Sequence, residues 1–204
     1  AAEKLQAALG DAKPKVVFMT ECFEDLDAKK KALAAVCKVF GADVVIGGAT
    51  YGIYTETETR DVDAVGLLAI AGDVEVKIGF VETMGAAGLS METDLAKLTK
   101  ALGDAGESLG KQLACKGGSL VMTLADAHSP KNDLFIAGLH KSLGKAFPIT
   151  GGSVNKNAGQ NYVFYKGKCY QDAAIGVMLG GLDVAMVGRN AKRTASDVVL
   201  KTAD

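Results

Sequence analysis

Val44-Val45-Ile46-Gly47-Gly48-Ala49-Thr50-Tyr51-Gly52 and Pro148-Ile149-Thr150-Gly151-Gly152-Ser153-Val154-Asn155 share one pattern: a short apolar run followed by two adjacent glycines. Each follows a helix-like stretch, and each precedes a strand-rich segment that starts Asp-Ala and ends in Gly. Two glycines at a strand end let the backbone turn sharply and approach another group closely. One such pair predicts a turn. Two in the same context predict equivalent corners of a repeated unit.

Outward from the glycine pairs the rest of the chain aligns. Val17-Phe18-Met19-Thr20 matches Leu120-Val121-Met122-Thr123. Asp63-Ala64 and the run to Gly72 match Asp172-Ala173 and the run to Gly181 without a gap, and Gly79 falls on Gly188. The second copy is longer only after its glycine pair, at 155–160. Each copy reads as helix, strand, helix, strand and three antiparallel strands. The expected fold is therefore α/β, with two pseudo-symmetric repeats and mixed sheets packed as one unit. Repeat 1 spans about 1–84, repeat 2 about 92–190, and a solvated tail 191–204, all within one domain.

Local signals fill in this plan. Residues 2–9 read as a helix stopped by Gly10, and Val16-Val17-Phe18-Met19 as a buried strand. Asp25 or Asp27 caps a helix running to Phe40, with Leu33, Val36, Cys37 and Phe40 on one face. Tyr54 to Arg60 alternates threonine with charge, as in a strand with one wet face. Strand 64–71 turns at Gly72-Asp73 into a hairpin partner at 74–81. Helix 92–113 presents Leu95, Leu98, Leu102, Leu109 and Leu113, and Gly103 and Gly106 weaken its middle. After strand Leu120-Val121-Met122-Thr123-Leu124, the predicted elements are a helix over 131–146 and strands over 161–165, 170–179 and 183–188, with Lys166-Gly167 and Gly180-Gly181 as turns.

Composition narrows the function classes. The 204 residues are 49% hydrophobic, enough to bury a sizeable core, and carry a formal charge of −1. That balance offers no field for nucleic acid or an acidic membrane surface. No apolar run has the length of a membrane span. Cys22, Cys37, Cys115 and Cys169 form no C-x-x-C pair, so spacing signals neither zinc nor a thioredoxin-like site. The chain begins Ala1-Ala2-Glu3, which suits either a trimmed cytoplasmic protein or a mature exported one.

No dinucleotide, P-loop, nucleophile-elbow or paired-histidine metal motif is present. The strand ends carry Thr20, Glu21, Cys22 and Asp25 in one copy and Thr123, Asp126 and His128 in the other. Ligands of open α/β sheets lie beyond such ends. A Cys22–His128 pair would supply nucleophile and base if the two ends met, the alternative being capping by Asp25 and Ser129 around a buried thiol. His128 or His140 could each serve as a haem ligand, and each also suits a surface or capping role. Tyr51, Tyr54, Tyr162 and Tyr165 flank the glycine segments, as sheet packing or as pocket walls.

Val45-Ile46-Gly47-Gly48-Ala49-Thr50-Tyr51-Gly52 resembles a characteristic segment of the FIST N-terminal sensory domain. Phe135-Ile136-Ala137-Gly138-Leu139, Phe147-Pro148-Ile149-Thr150-Gly151-Gly152-Ser153, Val163-Phe164-Tyr165-Lys166-Gly167 and Asp172-Ala173-Ala174-Ile175-Gly176-Val177 resemble its later blocks, in order. The resemblance covers about 15–188. It implies a sensor of small molecules such as amino acids, or in some relatives of nitric oxide through haem. Gly48 stands where the family usually has Cys, which removes that thiol's chemistry. No companion C-terminal domain or output module is recognisable in the sequence, which points to action by binding alone or through a separate signalling partner.

The sequence thus predicts a non-enzymatic small-molecule sensor. Its site lies between the repeats, with backbone N–H groups around Gly47, Gly48, Gly52, Gly151 and Gly152. Thr50, Ser153 and Asn155 add side-chain hydrogen bonds, and Tyr51 adds packing. Haem-based gas sensing through His140 or His128, and an enzyme using Cys22 and His128, are the alternatives.

Overall fold

A computed structural model describes residues 1–55, 58–128, 131–155 and 161–185. In chain order these form α1 (Ala2–Leu9), β1 (Pro14–Glu21), α2 (Leu26–Phe40), β2 (Val45–Ala49), β3 (Ile53–Tyr54), β4 (Thr59–Arg60), β5 (Val65–Ala71), β6 (Glu75–Val81), α3 (Leu95–Leu113), β7 (Gly118–Ala125), α4 (Lys131–Leu143), β8 (Ile149–Ser153), β9 (Val163–Tyr165), β10 (Lys168–Tyr170) and β11 (Ala174–Gly180).

The strands build a five-stranded sheet, β10-β9-β2-β1-β5, a four-stranded sheet, β6-β11-β7-β8, and a small β3-β4 arm. Their cores define four layers. Leu33 and Val36 of α2, with Leu5 of α1, cover Val17, Met19 and Val45 on the outer face of the first sheet. Leu98, Leu102, Leu109 and Leu113 of α3, with Phe135 and Leu139 of α4, cover Val121 and Met178 on the outer face of the second. Between the sheets lie Val16, Ile46, Ile175, Val177 and Leu179, with Phe18, Ile78, Met122 and Leu124 at their margins. Each fully buried leucine or isoleucine contributes about 2 kcal/mol. Leu95, expected on the apolar side of α3, is 50% exposed, because the helix starts only there, after a turn at Ser90–Asp94.

The two halves use the same pairings. β1 runs parallel to β2 and antiparallel to β5; β7 runs parallel to β8 and antiparallel to β11. Asp63 and Asp172 both adopt a left-handed backbone before the antiparallel strand, and Gly72 and Gly181 both do so after it. This agreement is compatible with a repeat and follows the gapless match from Asp63 to Gly72. The match of Thr20 with Thr123 needs correction. Met19 lies opposite Gly47, whereas Thr123 lies opposite Gly151, so Met19 and Thr123 take the same place. A one-residue slip reverses the face of every side chain. Met19 accordingly packs under α2 and Met122 between the sheets.

Both glycine pairs sit inside strands and not at turns. A Cβ on Gly47 would overlap the Met19 carbonyl, and one on Gly151 would overlap that of Thr123. Both residues have positive φ, 157° and 139°. Close approach of the parallel neighbour, not chain reversal, requires glycine here.

Four further expectations change. Segments 64–71 and 74–81 do not pair as a hairpin: β5 joins β1 while β6 crosses to the other sheet and joins β11. There Gly79 and Gly176 lie directly beneath Leu109 and Leu113 of α3. In place of one strand over 54–60, Ile53–Tyr54 pairs with Thr59–Arg60 as the β3-β4 arm, with Glu58 N–H donating to Thr55 Oγ1, and 56–57 lie outside the described residues. The strand predicted over 170–179 breaks at Asp172, whose left-handed backbone separates β10 from β11. Residues 183–185 are not a strand, and 186–188 lie outside the described residues. Lys166 and Gly167 both have positive φ, as the tight turn between β9 and β10 requires.

Gly106 does more than weaken α3. A Cβ there would overlap the Phe135 carbonyl of α4, and one on Gly138 would overlap the Gly103 carbonyl. The glycines let the two helices approach backbone to backbone. Among the described residues no helix is long and apolar enough to cross a membrane.

Candidate functional site

Where β1 and β5 face β7 and β8, the sheets leave a cavity of about 350 Å³. Phe18 and Thr20 of β1 and Gly66, Leu67 and Leu68 of β5 form one wall. Met122, Thr123 and Leu124 of β7, with Gly151 of β8, form the other, and Thr50, Gly52, Ile53, Tyr54 and Thr55 close one end. Gly66 makes room for this end: a Cβ there would come within 2.9 Å of both Thr20 Oγ1 and Ile53 Cγ2. The lining is apolar with a few hydroxyls and no carboxylate, amine, guanidinium or imidazole. That composition suits an uncharged or weakly polar small molecule.

A second cavity, about 280 Å³, lies on the other side of the β7–β8 pair, against α4. Gly151 and Thr123 border both.

The predicted site residues divide among these places. Thr50, Gly52 and Gly151 line the cavity between the sheets. Gly152 and Ser153 line the one against α4. Gly47 and Gly48 line neither cavity. Gly48 packs against Val154, and a Cβ there would overlap Val154 Cγ1 and come within 3.0 Å of the Tyr162 carbonyl. Tyr51 is 50% exposed and also lies outside both linings. The Asn155 side chain is exposed, while its backbone N–H donates to Ala49 O at 3.0 Å. Val154 N–H donates to Ala125 O at 2.9 Å, so these two residues tie the second sheet to the end of β2.

The expected hydroxyl donors are partly committed already. Ser153 Oγ donates to Ala127 O at 2.6 Å, and Thr50 Oγ1 donates to Gly52 O at 3.2 Å. Thr123 Oγ1 donates to Ile175 O at 2.8 Å.

Beyond the strand ends the halves diverge. At the end of β1, Glu21 is fully buried and meets the fully buried Lys29 of α2. Lys29 Nζ donates to Glu21 Oε1 at 3.0 Å, to Oε2 at 3.1 Å and to Phe23 O at 2.5 Å. Glu21 Oε2 also accepts from Phe23 N–H at 2.8 Å. All three ammonium protons have acceptors, the condition under which a buried pair is tolerated. Asp25 caps α2 through Ala28 N–H at 2.8 Å, as its position predicts.

After β7 stands a half-buried polar group in place of the ion pair. His128 Nε2 is 3.5 Å from Asp126 Oδ1 and 3.2 Å from Asn161 Nδ2. Asp126 Oδ2 accepts from Asp172 N–H, and the Asp172 carboxylate accepts from Gly85 and Ala86 N–H. Ser129, the expected cap of α4, lies outside the described residues.

Cys22 is fully buried with its thiol directed at Ala64 O, 3.7 Å away, and no described hydrogen bond joins it to His128. The described residues also do not fit a haem. His128 has its Nε2 engaged. His140 caps α4 through Nδ1 against Gly144 O at 2.9 Å and borders an open surface groove with Lys145, Phe147 and Pro148. Neither histidine faces an enclosed apolar slot. Among the described residues no cluster of His, Cys, Asp and Glu could hold a metal ion.

Sequence reasoning missed Gly66, Leu67, Leu68 and Asn132. A lone glycine inside a strand run, as at Gly66, signals close approach; Asn132 carries no comparable signal.

A family model, the FIST N domain, matches residues 16–192, most of the chain. No curated protein matches it.

Proposed function

Because the chain belongs to the FIST N-domain family, a family of sensory domains, we propose that it is a non-enzymatic sensor that binds a small, uncharged molecule between its two sheets. The cavity there carries this reading. It measures about 350 Å³ and draws its walls from both halves, within the range of small-ligand sites. Its apolar walls bury the body of the ligand, and the Thr20 hydroxyl orients it, the Thr50 and Thr55 hydroxyl protons being committed to Gly52 O and Glu58 O. A zwitterionic amino acid would leave two charges without counter-charges in this lining, which disfavours that class. Catalysis has little to build on, since Cys22 is buried and bonded locally and His128 lies in a different polar group. Occupancy would change how β1–β5 and β7–β8 sit together, a change that a separate signalling partner reads.

Native mass spectrometry of the purified chain, followed by calorimetry with any molecule released, tests the reading. Leu68→Trp should fill the cavity from its exposed side, since Leu68 is 55% exposed, and abolish binding with the fold retained. A ligand that Leu68→Trp still binds at unchanged affinity would exclude the site.

A further inference from the structure

We propose that the free edge of β5 is a docking site for an extended strand of a partner protein, apolar along its middle and basic where it meets the β3-β4 arm. The docking surface needs no ligand in the cavity between the sheets.

The first observation is the edge itself. β5 ends the five-stranded sheet. Val17 N–H donates to Val44 O, and Thr50 N–H donates to Glu21 O, so Val17 and Glu21 turn their backbone groups toward β2. Their partners on β5, Ala69 and Val65, and Leu67 between them therefore direct N–H and C=O away from β1, where no described strand receives them. Sheet edges are usually guarded by charge, proline, irregularity or shortness. β6 carries Glu75 and Lys77, β10 has only three residues, and β8 is interrupted by Gly151 at positive φ. β5 has seven residues with neither charge nor proline, and none of the seven is buried.

The second observation is what surrounds the edge. Of the seven large apolar side chains exposed among the described residues, Tyr51, Tyr54, Val62 and Leu68 all lie between positions 51 and 68. Such a concentration marks an interaction surface. The third observation is charge. Asp61 and Asp63 lead into β5, and among the described residues neither has a cation partner. Arg60, the one cation between Tyr51 and Ala71, lies 3.5 Å from Glu58. Lysine or arginine near the end of an added strand would meet the two free carboxylates. The same charges argue against a second copy of this chain. Two β5 strands paired antiparallel about Leu68 would set Asp63 opposite Asp73, like charges facing.

The test titrates the intact 15N-labelled chain with two probe peptides. One alternates valine and threonine with two lysines at each end, which serves either strand direction; its twin has glutamates in place of the lysines. The lysine peptide should shift the Val65, Leu67 and Ala69 amides saturably and slow their exchange with solvent. The twin should bind roughly tenfold more weakly, and the difference should shrink at high salt. Asp61→Asn combined with Asp63→Asn should remove the preference with the rest of the spectrum unchanged, since asparagine tolerates the left-handed backbone at position 63. Leu68→Lys should weaken both peptides by guarding the edge. Equal binding of the two peptides, shifts confined to β6, β8 or β10, or unmoved β5 amides overturn the proposal. So does self-association that protects the same three amides, which would assign the edge to a second copy. None of these outcomes depends on what fills the cavity between the sheets.

Discussion

The glycine pairs of β2 and β8 match in one member and differ in the other. Gly47 and Gly151 both press against the carbonyl of a parallel neighbour, Met19 or Thr123. Gly48 and Gly152 have opposite surroundings. Gly48 is sealed under Val154, while Gly152 meets nothing. The same contrast extends past the strand ends, where the first half fully buries the Glu21–Lys29 pair and the second leaves His128 half-buried beside Asp126. The first half is closed at its glycine pair and the second is open. Of the two glycine pairs, only that of β8 is accessible.

The largest effect should come from the buried pair that only the first half has. Lys29→Met strands the Glu21 carboxylate and should cost about 4 kcal/mol in urea unfolding. Adding Glu21→Leu should recover most of it, because an apolar pair of similar volume removes both desolvation costs. A single variant as stable as the native chain would remove the contrast.

Next come the matched glycines. Gly47→Ala and Gly151→Ala should each cost about 3 kcal/mol, since each forces a backbone shift at positive φ. A silent Gly151→Ala would show that β2 and β8 are not alike even where they look alike. The unmatched glycines should separate cleanly. Gly48→Ala must displace Val154 and should cost about 2 kcal/mol, whereas Gly152→Ala should stay within about 0.5 kcal/mol. Equal losses at the two would erase the distinction between a closed and an open strand.

The smallest effect is in the thiols. Three sulfurs belong to the first sheet and its helices: Cys22 is buried, and Cys37 and Cys169 are partly so. Burial pushes the Cys169 thiol up to about 11, helped by the Glu21 carboxylate, and burial also raises Cys37. Cys115, beside the second sheet, is exposed. Alkylation at pH 8 should therefore modify Cys115 first, as read by intact mass. As pH rises from 9 toward 11 the unfolded chain loses the Cys169 proton before the folded chain does, so folding stability should decline modestly in that window.

Much of this architecture was legible because it is local. The α1 stop at Gly10, the Asp25 cap, the Lys166-Gly167 turn and the Asp63-to-Gly72 match depend on a few neighbouring residues. What failed depends on distant ones. Gly72-Asp73 signals a turn, but nothing in those two residues says which sheet receives the chain afterwards. Gly106 reads as a weak point until Gly138 arrives from α4 to use the space. Lys29 begins the run Lys29-Lys30-Lys31, in which nothing marks one lysine for burial; the carboxylate of Glu21 at the end of β1 is what it meets inside. Of the candidate site, Thr50, Gly52 and Gly151 could be named from the glycine pattern, whereas Gly66 and Leu68 enter through strand pairing and Asn132 through the packing of α4.

The crossing of β6 into the second sheet also orders events in time. Gly79 pairs with Gly176, so during synthesis β6 leaves the ribosome long before β11, the strand it pairs with, exists. β2 likewise waits for β9, since Gly47 pairs with Phe164. Until the last strands emerge, the nascent chain carries unpaired apolar edges of the kind that chaperones bind and that aggregate when concentrated. Folding should thus be slow and nearly all-or-none, completed by β11. Truncations before Ala174 should yield insoluble protein rather than a stable smaller sensor.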